Sequence, residues 1–114
     1  MIDVKILKDL NGLRGYRISG HANYSRRGED IICAGISMLS QTILESLVKV
    51  SKIKEEEIKY NIEDKTGFLD VLIPKELDYK VFNDSQVLIK SLITGIELMI
   101  EAYPDYIKMS YEEV

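Results

Sequence analysis

The chain opens on an alternation. Ile2, Val4 and Ile6 are apolar, with Asp3, Lys5 and Lys8 among the other positions. Period two marks a half-buried strand, so residues 1–8 are predicted as one. Asp9-Leu10-Asn11-Gly12 follows, and Asn-Gly is a strong hairpin signal. A second strand is predicted over 13–19, with Leu13, Gly15, Arg17 and Ser19 on one face and Arg14, Tyr16 and Ile18 on the other. Gly20 then lets the chain turn and leaves the backbone open beside His21.

The period changes after a polar run, Asn23 to Asp30. Ile32, Ile36, Leu39, Ile43, Leu47 and Val50 recur at spacings of three and four, which predicts a helix over 31–51. Ile31, Ala34, Met38, Leu44 and Val48 widen its apolar face. A helix this apolar is expected to be buried on most sides, in part by a second copy of the chain. Asp30 directly precedes it and reads as its N-cap.

Residues 52–59 are charged, and Glu55-Glu56-Glu57 reads as a solvated turn. Residues 58–62 and 68–73 flank a Gly67-containing turn and predict a second hairpin. Pro74 stops its second strand. A second helix is predicted over 83–102, with Leu88, Leu92, Ile96, Met99 and Tyr103 on its apolar face, and Pro104 ends it. Residues 105–111 alternate again and predict a last strand. The order is ββ-α-ββ-α-β: an α+β fold, a mostly antiparallel sheet of about five strands with two helices over one face.

Composition bounds the class. A chain of 114 residues suits one domain, 1–114, and buries about two-thirds of its unfolded surface. The hydrophobic fraction is 46% and the net charge −4, so neither disorder nor a basic nucleic-acid footprint is expected. One cysteine excludes an internal disulfide and fits a reducing compartment. One Cys and one His cannot form a four-ligand zinc site without several carboxylates, so no metal and no cofactor are expected. The N-terminus lacks a signal-peptide core, and no apolar run approaches a membrane span. The expected location is the cytoplasm, with no membrane partner.

The only His and the only Cys flank one loop. Thiol and imidazole are the minimum set for a cysteine nucleophile, the base taking the thiol proton. Cys33 falls in the first turn of the predicted helix. Unpaired amides and the positive dipole end gather there, lowering a thiol pKa and offering oxyanion donors. Against this, a free cysteine is most often a small buried hydrophobe, and a His at a strand end can simply bond to backbone. Asp30 either caps the helix or orients His21. Ser37, one turn after Cys33, either bonds back to the Cys33 carbonyl or reaches into the site. Gly35 costs about 1 kcal/mol against alanine in a helix, and permits either close packing or a substrate's approach. Arg26, Arg27 and Gly28 read as a solvated loop, or more sharply as a lid over bound peptide. The rival to catalysis is a non-enzymatic binding protein with a structural cysteine. A redox sensor is disfavoured because no resolving cysteine exists.

Gly20-His21-Ala22, Gly28 to Ser37 and Tyr103-Pro104-Asp105-Tyr106-Ile107 together resemble the Prp family of ribosomal-processing cysteine proteases, across essentially the whole chain. The resemblance implies a small α/β homodimer. It implies a substrate too: the N-terminally extended large-subunit ribosomal protein twenty-seven of Firmicutes and related bacteria, whose extension is removed. By position, Cys33 matches the family nucleophile and His21 its general base, with Asp30 and Ser37 in the same block. Gly35 stands where many relatives have alanine. The segment between His21 and Asp30 is implied to move to admit peptide.

Overall fold

The computed structural model describes residues 1–20, 27–63 and 68–114; the side chains of residues 27–30 and 68 lie outside it. Five strands form one sheet: β1 (Ile2–Asp9), β2 (Gly12–Ser19), β3 (Lys59–Glu63), β4 (Phe68–Leu72) and β5 (Ile107–Glu113). Their spatial order is β3-β4-β2-β1-β5. Neighbours are antiparallel except β1 and β5, which run parallel because α2 carries the chain back between β4 and β5. The helices are α1 (Arg27–Lys49) and α2 (Tyr79–Ala102), with a short exposed 3-10 turn at Glu55–Glu57. The α+β class and the element order agree with the sequence expectation. The turn proposed around Gly67 lies outside the described residues.

The alternation in β1 and β2 is read out as two faces. Ile2, Val4, Ile6, Tyr16 and Ile18 are buried with the helices. The opposite face carries a charged cluster: Arg17 pairs with Asp70 at 3.5 Å and with Glu112 at 3.3 Å, and Lys5 reaches Glu112 at 3.7 Å. The β1–β2 turn is Leu10-Asn11, because Asp9 pairs with Gly12. Asp9 Oδ1 accepts from the amides of Asn11 and Gly12 and closes it. Arg14 is 2% exposed and compensated: its Nε lies 3.4 Å from Asp9 Oδ2, and its Nη2 donates to the Ile73 carbonyl.

The helices differ from expectation at their ends. α1 starts at Arg27, one turn earlier than the apolar pattern begins. Arg and Glu are good helix formers, and Glu29 and Asp30 in a first turn favour the positive dipole end. α1 stops at Lys49, so Val50 is exposed. Beyond it, Lys52 takes a left-handed backbone and Ser51 Oγ donates to the Leu47 carbonyl. α2 starts at Tyr79, not 83. Its buried stripe is Ser85, Ile89, Leu92 and Ile96, with Leu88 only half-buried.

One expectation about α1 needs correcting. By length and composition alone, Ile31–Lys49 is apolar enough to cross a membrane. Gly, Ala and Ser dilute the run without adding charge. In the fold its Ile32, Ile36, Ile43 and Leu47 pack into the core of the sheet, which is the place of an amphipathic core helix.

Candidate active site

Cys33 is half-buried on α1, between the core face of Ile32 and Ile36 and the exposed Ile31 and Ala34. It packs against the hydrophobic core. Gly35 of α1 packs against Met99 near the end of α2. The chain then turns through Tyr103 and Tyr106, whose carbonyl accepts from Ile2. Ile2 begins β1, and its neighbour Asp3 pairs with Ser19, the last residue of β2. His21 follows Ser19 by two residues. Between them Gly20 has φ +90°, and a Cβ there would strike the Met1 carbonyl oxygen. Only glycine fits that turn. His21 and Arg26 themselves lie outside the described residues.

The early start of α1 changes the reading of its N-terminus. Arg27 and Gly28, expected in a loop, form the first turn. Asp30 is the fourth residue of the helix, not the residue before it, so it is not the N-cap; its side chain lies outside the described residues. Cys33 is the seventh residue, about 9 Å along the axis from Arg27. Free amides belong to the first turn and the dipole acts within it. Cys33 thus stands in the second turn of α1, about 4.5 Å along the axis from Asp30, the last of the four residues whose amides are free.

The two alternatives for Ser37 separate here. Ser37 is exposed, and its hydroxyl has no hydrogen-bond partner among the described residues. The back-bond to Cys33 is not made, although Thr42, Ser91 and Thr94 all make that kind of bond on their own helices. Residues four apart share a helix face, and helix side chains lean towards the N-terminus. Ser37 thus stands one turn after Cys33 on the same helix face. Gly35 is settled in the same way. It faces Met99, whose Cε would sit 3.1 Å from an added Cβ, so the glycine serves helix packing.

A pair of residues passed over in the sequence holds this region of α1 to the sheet. Tyr16 is fully buried and its hydroxyl donates to the Ser40 carbonyl at 2.7 Å. Ser40 Oγ in turn donates to the Ser37 carbonyl. Burial pushes the Tyr16 phenol well above its ordinary range, only partly offset by the Leu44 backbone. The signal was present: a tyrosine on the core face of a strand needs a buried partner for its hydroxyl. A cavity of about 260 Å³ lies on the other face of the sheet, lined by Leu7, Arg17, Asp70 and Leu72 among others, and is not part of this site.

Comparison with known proteins shows the family. The family model for cysteine protease Prp matches residues 1–108. The chain belongs to the Prp family of cysteine proteases. The ribosomal processing cysteine protease Prp of Bacillus subtilis is 23% identical over 99 residues, 87% of this chain and 86% of that protein. Two crystal structures of Prp from S. aureus share the fold. One, an essential ribosomal processing protease in complex with a substrate peptide, has a TM-score of 0.82 at 19% identity and covers 98% of this chain and all of its own. The other holds a covalently linked product peptide, with a TM-score of 0.80 at 20% identity and the same coverage.

Proposed function

We propose that this Prp-family chain is an endopeptidase that removes the N-terminal extension of large-subunit ribosomal protein twenty-seven, in the cytoplasm where ribosomes assemble. Cys33 is its nucleophile and His21 its general base. His21 takes the thiol proton, and the thiolate attacks the scissile carbonyl. The tetrahedral intermediate collapses as the amine leaves with that proton. Water then hydrolyses the thioester, with His21 again as base, and the thiol is regenerated. The amides one turn before Cys33 and the Ser37 hydroxyl one turn after it are the oxyanion donors that α1 offers.

The observation that carries this reading is the meeting of family and position. The chain's one thiol is part-exposed on α1, and its one imidazole follows the last residue of β2 by two positions in sequence. The B. subtilis relative, a ribosomal processing protease, and the S. aureus structures with substrate and covalently linked product peptides support a peptide substrate from the ribosome. Iodoacetamide alkylation against pH tests the dyad. Wild-type Cys33 should react fast below neutral pH. His21→Ala should move the profile towards that of an ordinary thiol, with a pKa of about 8.5. Identical profiles for the two proteins would remove His21 from the mechanism.

A further inference from the structure

The sheet face away from the helices carries a gap that the fold does not fill. Leu72 of β4, Gly15 of β2 and Leu7 of β1 stand side by side in one cross-sheet row, and Lys59 of β3 ends it. Gly15 contributes no side chain, and none can be added: a Cβ there would strike the Val71 carbonyl oxygen. The β4 backbone therefore keeps the row open at its centre. The cavity of about 260 Å³ lies here, with Leu7 and Leu72 in its lining. Leu7 is 1% exposed although it is not part of the core under the helices, so it forms an apolar floor.

The polar lining is unevenly satisfied. Arg17 is committed, because Asp70 at 3.5 Å and Glu112 at 3.3 Å neutralise it. On the β3 side, Lys59 and Asn61 are two residues apart and share a face. Lys59 has no ion-pair partner, and the Asn61 side chain no hydrogen bond, among the described residues. A free ammonium and a free amide thus flank an apolar floor. Small-molecule pockets have this make-up, an apolar lining with a few polar groups that fix orientation. The charges select a monoanion. One cation is free to pair, whereas Asp70 in the lining would repel a doubly charged group, and an organic cation would meet Lys59 and Arg17 together. The volume is a little below the range of about 300–1,000 Å³ for ordinary ligand pockets, which limits the occupant to a small body.

We propose that this cavity is a binding site for a small amphipathic carboxylate, its head held by Lys59 and Asn61 and its apolar body laid over Leu7 and Leu72 in the gap at Gly15. The site lies on the opposite side of the sheet from Cys33, and the proposal stands apart from the protease reading. Lys59 is exposed, and a ligand of about ten non-hydrogen atoms fills the space, so binding is weak, with Kd on the order of 1 mM.

Titration with hydrocinnamate to about 20 mM, followed by amide proton–nitrogen correlation spectra, spans that affinity. The expected result is a saturable shift of the amides of Leu7, Arg17, Asn61 and Leu72. Lys59→Glu should raise Kd about fivefold, because an attraction becomes a repulsion, and Lys59→Arg should bind as the wild type does. Phenylpropanol, with the same body and no charge, should bind more weakly, and phenylpropylamine more weakly still. Lys59 is exposed, and circular dichroism confirms that each variant is folded. No saturable shift in the folded protein, shifts centred away from these four residues, the alcohol or the amine binding as tightly as the carboxylate, or a Kd indifferent to Lys59→Glu would each overturn the proposal.

Discussion

Two glycines line the α1–α2 seam, one on each helix, and alanine should have opposite effects at them. At Gly35, an added Cβ meets only the flexible end of Met99, with Cε at 3.1 Å and Sδ at 3.5 Å. Replacing a mid-helix glycine by alanine stabilises by about 1 kcal/mol. A few tenths of an ångström of movement in a methionine tip offsets roughly half of that. Gly35→Ala should therefore gain about 0.5 kcal/mol, or about 2 °C in Tm. At Gly95 the Cβ meets Leu39 with Cδ2 at 2.5 Å, Cδ1 at 3.0 Å and Cγ at 3.3 Å. That is the branched body of a half-buried leucine, and overpacking of this kind costs about 1–3 kcal/mol. Gly95→Ala should lose about 1 kcal/mol net of the same helix gain. Urea unfolding followed by circular dichroism measures both, with cleavage assayed on the same samples. If Gly35→Ala destabilises as much as Gly95→Ala, the account of the seam is wrong. If it stabilises the fold but abolishes cleavage, Gly35 serves substrate approach and its assignment to packing fails.

Other consequences are more local. Tyr16→Phe should cost about 1 kcal/mol, the worth of one buried hydrogen bond, here the one that holds Ser40 to the sheet. Because burial raises the folded-state pKa of Tyr16 above its ordinary value near 10, its neutral form is favoured in the fold. That stability is complete below pH 10 and is lost as pH climbs above it, so unfolding curves should weaken at alkaline pH, and less steeply in Tyr16→Phe. Gly20→Ala should cost at least ~2 kcal/mol, from its left-handed backbone and the clash with the Met1 carbonyl, and should impair cleavage by shifting His21. Ser37→Ala should leave stability within about 0.5 kcal/mol, since Ser37 is exposed, while lowering kcat about tenfold or more if its hydroxyl holds the oxyanion. An unchanged kcat would remove Ser37 from the mechanism.

Much of the fold was legible because it rests on periodicity. The period-two alternation of β1 and β2 and the three-and-four spacing of α1 each survive as a buried face. Helix ends were not legible, because they depend on a few polar residues with comparable preferences. Asp30 before an apolar run looks like a cap, but Arg27, Gly28 and Glu29 tolerate helix and extend it by one turn. That turn moves Cys33 from the first turn of the helix to the second. The parallel pairing of β5 was likewise hidden: an alternating segment gives its faces, not its neighbour. Tyr16 and Ser40 meet across 24 residues of sequence, and no local pattern pairs them.

The central claim is that Cys33 cleaves a ribosomal precursor. Its most direct test is to mix the purified protein with the N-terminally extended ribosomal protein and follow the mass of that substrate, with Cys33→Ala in parallel. The account predicts loss of one discrete N-terminal peptide with the wild-type protein and none with Cys33→Ala. An intact substrate in the presence of folded wild-type protein, or equal cleavage by Cys33→Ala, would contradict it.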